Sequence, residues 1–277
     1  VNRGRAVVDR LASQGGLAVL MAGLLAASCS GASVAGDDDG LAPLTDDWRG
    51  VLLSGGGELP FDLRVDPEGT DPPAVVLNAG VETSLVAVTR QGAASYTLRF
   101  FGDAEPIDSE LVVKMAPNGD ELHGFWRLRH ASDTEGSPHE LVTQMPFSAT
   151  RNDERRFQRN DPTLEIASAE SIAALADVTG EWTVSSASEG IALHGNVRFI
   201  QEGERVFSES AADASSAAAL RMEGIYRNGL LRLSLFDGYR AALLHARATP
   251  AGTFEGRVWI ADQPAAAWSA RRVATDR

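Results

Sequence analysis

Few side chains in this sequence are spaced for chemistry. His123 follows Glu121 by two residues, so an extended strand puts imidazole and carboxylate on one face. Such a pair could serve as a general base or as half of a metal site. The competing and preferred reading is a surface imidazole on a polar strand face. His139-Glu140 falls in a Ser/Pro-containing loop, and no pair among the five histidines has metal-ligand spacing. Asp37-Asp38-Asp39 lacks the Gly and the terminal Glu of a calcium loop and reads as solvated chain. Ser148 and Ser269 occupy matching places in two similar segments, but neither lies in a Gly-x-Ser-x-Gly turn or pairs with a histidine. They read as polar residues on an outer strand face. No catalytic residue, metal or cofactor is therefore expected. Four aromatic residues, Trp48, Phe147, Trp182 and Trp268, fall on inward strand positions. Their expected role is packing at the seam of a barrel, and the functional alternative is the lining of an apolar pocket at a barrel mouth.

The remaining reactive group is Cys29, the single cysteine of the 277 residues. It follows Arg3, Arg5 and Arg10 and an 11-residue apolar stretch, 17–27. A spanning helix needs roughly 20 residues, so this stretch is too short for one. The layout resembles a bacterial lipoprotein signal peptide, with Leu25-Ala26-Ala27-Ser28-Cys29 as the lipobox. The alternative is an ordinary secretory signal cut after Ser33-Val34-Ala35. The lipoprotein reading makes residues 1–28 the leader, Cys29 the lipid attachment site and 29–45 a flexible tether. It implies an extracytoplasmic protein anchored to the membrane by lipid. Ser30, standing where relatives with inner-membrane retention carry Asp, points to the outer membrane, facing the periplasm.

A net charge of −13 disfavours phosphate backbones, so nucleic acid is not an expected partner. Hydrophobic residues make up 44% of the chain and charged residues 23%, which is the composition of a folded protein. Cys29 alone cannot pair within the chain, so apolar cores must supply the stability.

The chain also repeats itself. Trp48-Arg49-Gly50 opens one unit and Gly180-Glu181-Trp182 the next. Leu98-Arg99-Phe100-Phe101-Gly102-Asp103 matches Leu233-Ser234-Leu235-Phe236-Asp237-Gly238. The run from Gly119 to Trp126 matches that from Gly252 to Trp259. Phe147-Ser148-Ala149-Thr150-Arg151 matches Trp268-Ser269-Ala270-Arg271-Arg272. Four matches in one order indicate a tandem duplication. Within each unit the apolar period is two, as in Leu59, Phe61, Leu63 and Val65, or Leu231, Leu233 and Leu235, which predicts strands with one face buried and one wet. Turn signals such as Gly55-Gly56-Gly57, Asn118-Gly119, Asn228-Gly229 and Pro250-Ala251-Gly252 divide each unit into about eight short strands. Closing such a meander removes its exposed edges. Pro60 then belongs at an edge, bulge or strand end. The expected fold is all-β: two tandem small antiparallel up-and-down β-barrels, calycin- or lipocalin-like, at 46–151 and 177–272. A linker at 152–176 carries one short helix over 168–176, and 273–277 is a tail.

Trp48-Arg49-Gly50-Val51-Leu52, Gly57-Glu58-Leu59-Pro60-Phe61-Asp62-Leu63, Leu77-Asn78, Glu82, Gly124-Phe125-Trp126 and Met145-Pro146-Phe147-Ser148-Ala149-Thr150 together resemble the N-terminal region of bacterial TlpA-like thiol-disulfide oxidoreductases. Asp177-Val178-Thr179-Gly180-Glu181-Trp182 and Leu235-Phe236-Asp237-Gly238 resemble the second β-domain of the same proteins. In that family a thioredoxin-like domain with Cys-x-x-Cys follows. The motif does not occur in this sequence, so the resemblance transfers no redox activity and no catalytic residue. The expectation is a non-catalytic cell-envelope lipoprotein with a binding or scaffolding role. Besides the membrane, its candidate partners are a small apolar ligand or an envelope protein. The alternative is an accessory or truncated TlpA-like component acting with a separate thioredoxin-fold partner.

Overall fold

In the computed structural model of the chain, the described residues are 44–66, 74–78, 81–101, 107–130, 140–153, 157, 167–187, 195–210 and 221–274. Cys29, the expected leader, tether residues 29–43 and His139 lie outside them, whereas the last two residues of the expected tether, Leu44 and Thr45, are described, and Leu44 is buried in the first barrel's core. The apolar alternation forms sixteen strands in two closed antiparallel barrels of eight. The first contains β1 (Asp46–Ser54), β2 (Gly57–Val65), β3 (Ala74–Asn78), β4 (Val81–Arg90), β5 (Ser95–Phe101), β6 (Ile107–Met115), β7 (Glu121–His130) and β8 (Glu140–Arg151). The second contains β9 (Gly180–Ser186), β10 (Gly195–Glu202), β11 (Arg205–Ser210), β12 (Glu223–Arg227), β13 (Leu230–Phe236), β14 (Ala241–Ala248), β15 (Thr253–Ile260) and β16 (Ala266–Arg272). Each strand pairs with its sequence neighbours, and the first and last of each set close the barrel. This is the expected all-β class with two eight-stranded up-and-down sheets.

The strand register places the repeated residues at equivalent positions of the two barrels. Trp48 pairs with Arg151, Gly50 with Ala149 and Leu52 with Phe147. In the second barrel Trp182 pairs with Arg272, Val184 with Ala270 and Ser186 with Trp268. Gly124 and Gly256 are also equivalent, on the seventh strand of each barrel. A Cβ on Gly124 would run into the Val112 carbonyl, and one on Gly256 into that of His245. Only glycine lets the neighbouring strand approach so closely. This equivalence pairs Trp126 with Val258, not with Trp259. The sequence match at this strand is off by one residue, and Trp259 points outward, its ring 5.3 Å from that of His245.

Among the described residues a single helix, α1 (Ala169–Ala174), lies between the barrels in the chain, two residues shorter than expected at its C-terminal end. Ser168 caps it, its hydroxyl accepting the Ser171 amide. The chain after α1 runs over one end of the second barrel. Leu175 and Val178 are buried in that barrel's core, and Tyr226 donates its hydroxyl proton to the Leu175 carbonyl.

The barrels are not separate beads; both belong to one compact unit. The β2–β3 register covers only Asp62 to Val65, so the first half of β2, with Pro60 in it, has no β3 partner. That stretch behaves as the edge Pro60 needs. Here β13 packs, and the Ser234 hydroxyl donates to the Pro60 carbonyl at 2.7 Å. Consequently Arg232 and Ser234 are buried, although the alternation of β13 predicts a wet face there. The contact with the first barrel buries the outer face of β13 as fully as the inner one.

Candidate functional site

The four aromatic residues of interest are all buried, at 0–4% exposure. Trp48 closes one end of the first barrel. Its indole N–H donates to the Thr45 carbonyl at 2.8 Å, and the Arg151 guanidinium stacks 4.9 Å from its ring. Trp182 repeats the arrangement, donating to the Val178 carbonyl at 2.8 Å under Arg272 at 5.1 Å. Phe147 stands opposite Leu52, at a different level from Trp48, and its ring is 6.0 Å from that of Phe61. Trp268 stands at the far end of the second barrel, opposite Ser186. Its indole N–H is buried and has no hydrogen-bond partner among the described residues. Within each barrel, then, the two aromatics sit at separate levels in a shared apolar interior, and they do not converge on one lining. Their neighbours fill the space. Leu52, Leu59, Leu63, Leu98, Leu111 and Trp126 occupy the first interior, and Phe199, Leu231, Leu244, Phe254 and Val258 the second.

The polar candidates lie outside. His123 Nε2 is 3.2 Å from Glu121 Oε2, with both side chains about half exposed or more (61% and 49%). Among the described residues no three His, Cys, Asp or Glu side chains gather into a metal-binding group. Ser148 pairs with Val51 on the outer face, and Ser269 is exposed on the equivalent strand. A depression of about 280 Å³ opens beside Trp48, walled by Asp47, Asp62, Arg64, Leu77, Asn152 and Asp153. Arg64 Nε donates to Asp47 Oδ1 across it at 2.9 Å, but both groups are more than half exposed, so water screens the pair. Asp177 has its carboxyl held low. The Thr179 backbone amide and hydroxyl hold it below its ordinary value, helped by the nearby positive charge of Arg272.

Two features escape an inspection of reactive residue types. The first is an apolar row on the outside of the first barrel. Val112 pairs with Phe125 and Phe125 with Pro146, and Leu53 follows Leu52 of the Leu52–Phe147 pair on β1, the strand that pairs with β8. Phe125 is 41% exposed and Leu53 56%. The second is the contact at the other end of that barrel, where Phe236 of the second barrel enters a ring of aromatics. The only sequence signal for it was an apolar run, Leu233 to Phe236, ending in Asp237-Gly238.

No family model, curated protein or solved structure matches this chain. Among the described residues, no helix is long and apolar enough to cross a membrane.

Proposed function

We propose that this protein is a non-catalytic cell-envelope lipoprotein that binds or scaffolds another envelope protein through the outer surface of its tandem barrels. The observation that carries the reading is the filling of both interiors by the chain's own large apolar side chains. Lipid attachment at Cys29, and with it a location at the periplasmic face of the outer membrane, belongs to the same proposal. So does kinship with TlpA-like proteins. The row Val112, Phe125, Pro146 and Leu53 supports an outer contact, because apolar side chains in a line across neighbouring strands of a wet face are what a partner covers.

The test is site-specific photocrosslinking in cells, with the photoreactive residue at Leu53 or Phe125 and, as control, at Arg198 in the second barrel. A discrete adduct from the first two positions only is the expected outcome, and a thioredoxin-fold protein in that adduct would favour the accessory-component alternative. Stoichiometric uptake of an apolar small molecule by the purified wild-type protein, with no adduct at either position, would overturn the reading in favour of ligand carriage. In the same cells, Cys29→Ala should move the protein to the soluble periplasmic fraction or block its maturation. An unchanged membrane fraction would remove the anchor.

A further inference from the structure

The end of the first barrel nearest the second has the make-up of a small-ligand site, and the site is occupied. Phe236 projects from the outer face of β13, away from its own barrel, and is completely buried. Its ring lies 4.3 Å from Phe61, and it meets Phe100 at 5.5 Å and Trp126 at 5.4 Å edge-on, at 89° in both cases. These are favourable aromatic geometries. Two residues on, the Gly238 carbonyl accepts two hydrogen bonds from inside the first barrel. One comes from the Ser109 hydroxyl and the other from the Trp126 indole N–H at 3.1 Å. An apolar box with a few converging polar groups is how proteins hold small molecules. Here the guest is a turn of the same chain.

That turn is shaped in advance. Asp237 Oδ1 accepts the amides of Tyr239 at 3.0 Å and Arg240 at 2.7 Å, and Arg240 Nε donates to Asp237 Oδ2 at 2.6 Å. Gly238 has φ +90, and a Cβ there would strike the Phe100 ring. So the turn enters the box with little ordering left to do, and its high local concentration outcompetes a free molecule of the same chemistry.

We propose that this end of the first barrel is a receptor site for a single aromatic ring with a neighbouring carbonyl, occupied in cis by the β13–β14 turn. Ser109 and Trp126 are its donors, and Phe61, Phe100 and Trp126 its aromatic walls. The second barrel is thus the first barrel's built-in ligand, and a free aromatic enters only when Phe236 is taken away.

The experiment uses the full chain carrying Phe236→Ala, melted with and without benzene and with cyclohexane as a non-aromatic probe of similar size. The variant should melt on the order of 10 °C below wild type. Benzene should restore ~3 °C, cyclohexane clearly less, and wild type should respond to neither. Should Phe236→Ala not fold, Phe236→Leu leaves a smaller hole. Benzene should then shift the Trp126 indole N–H resonance, and in wild type it should not. An equal response to both probes would reduce the site to a non-specific hole. No benzene response in either variant, or a response of wild type, would overturn the proposal.

Discussion

At the scale of single residues, the two barrels use the same devices, so one substitution can be made twice. Gly124 and Gly256 each face a backbone carbonyl of the neighbouring strand with no room for a Cβ. Gly124→Ala and Gly256→Ala should each cost about 1–3 kcal/mol, the usual penalty for overpacking. Urea unfolding midpoints would check this, and a neutral result at one site only would mean that the repeats have diverged there. Asp177 gives a pH dependence. Hydrogen bonds from Thr179, with the Arg272 charge, hold its carboxyl below the ordinary 3.8. A lowered native pKa stabilises the fold above the unfolded-state value, and the gain is lost as pH falls through the lowered one. Asp177→Asn should therefore be less stable than wild type near neutrality, and the gap should close as pH falls below the ordinary carboxyl value and through the lowered native one. A gap that stays constant in parallel urea titrations would disprove the linkage. The candidate chemistry was equally legible at this scale. His123 beside Glu121, and Ser148 and Ser269 on outer faces, follow directly from strand alternation.

At the scale of elements, period-two alternation and turn residues located the barrels, because each strand has one face in its own core. Asn228-Gly229, both at positive φ, forms the two-residue hairpin expected between β12 and β13. Alternation failed where a strand has a second neighbour. Arg232 and Ser234 read as wet, yet Phe157 of the linker lies against the Arg232 guanidinium and β2 of the first barrel against Ser234, and no local pattern reveals a contact with residues far away in sequence. The Trp126–Trp259 match failed for a related reason. Glycine and tryptophan recur in both motifs, but their spacing differs by one, and a one-residue slip moves a side chain to the other face. The segment after α1 offers a further test. Burial raises the Tyr226 phenol above its ordinary 10.0, and its hydroxyl holds the Leu175 carbonyl. A raised native pKa contributes stability below the unfolded-state value, lost as pH climbs through the native one. Wild type should thus lose stability above about pH 10 more steeply than Tyr226→Phe. Parallel slopes in thermal melts would show that the phenol does not titrate against the fold.

At the scale of the whole molecule the two barrels are unequal. The second core is completed by Leu175 and Val178, from the segment just ahead of it. The first core also includes Phe236, Ala241 and Leu243, which belong to the other barrel. A fragment spanning 167–274 should therefore melt cooperatively alone, whereas one spanning 44–153 should be less stable and bind an apolar dye at its uncovered aromatics. The intact chain should show one transition. Equal stability of the two fragments would mean that the shared residues contribute little. On the reading proposed above, recognition lies at surfaces between bodies, and reactive residue types do not mark such surfaces. The double burial of β13 also bears on how this chain can change over generations. Its equivalent, β5, answers to one barrel, and Arg99 on its outer face is exposed and replaceable. From Leu231 to Phe236 every position of β13 is buried and answers to two. Substitutions along β13 should accordingly be tolerated less than those at the matching positions of β5, which a parallel scan of both strands for folded yield would check.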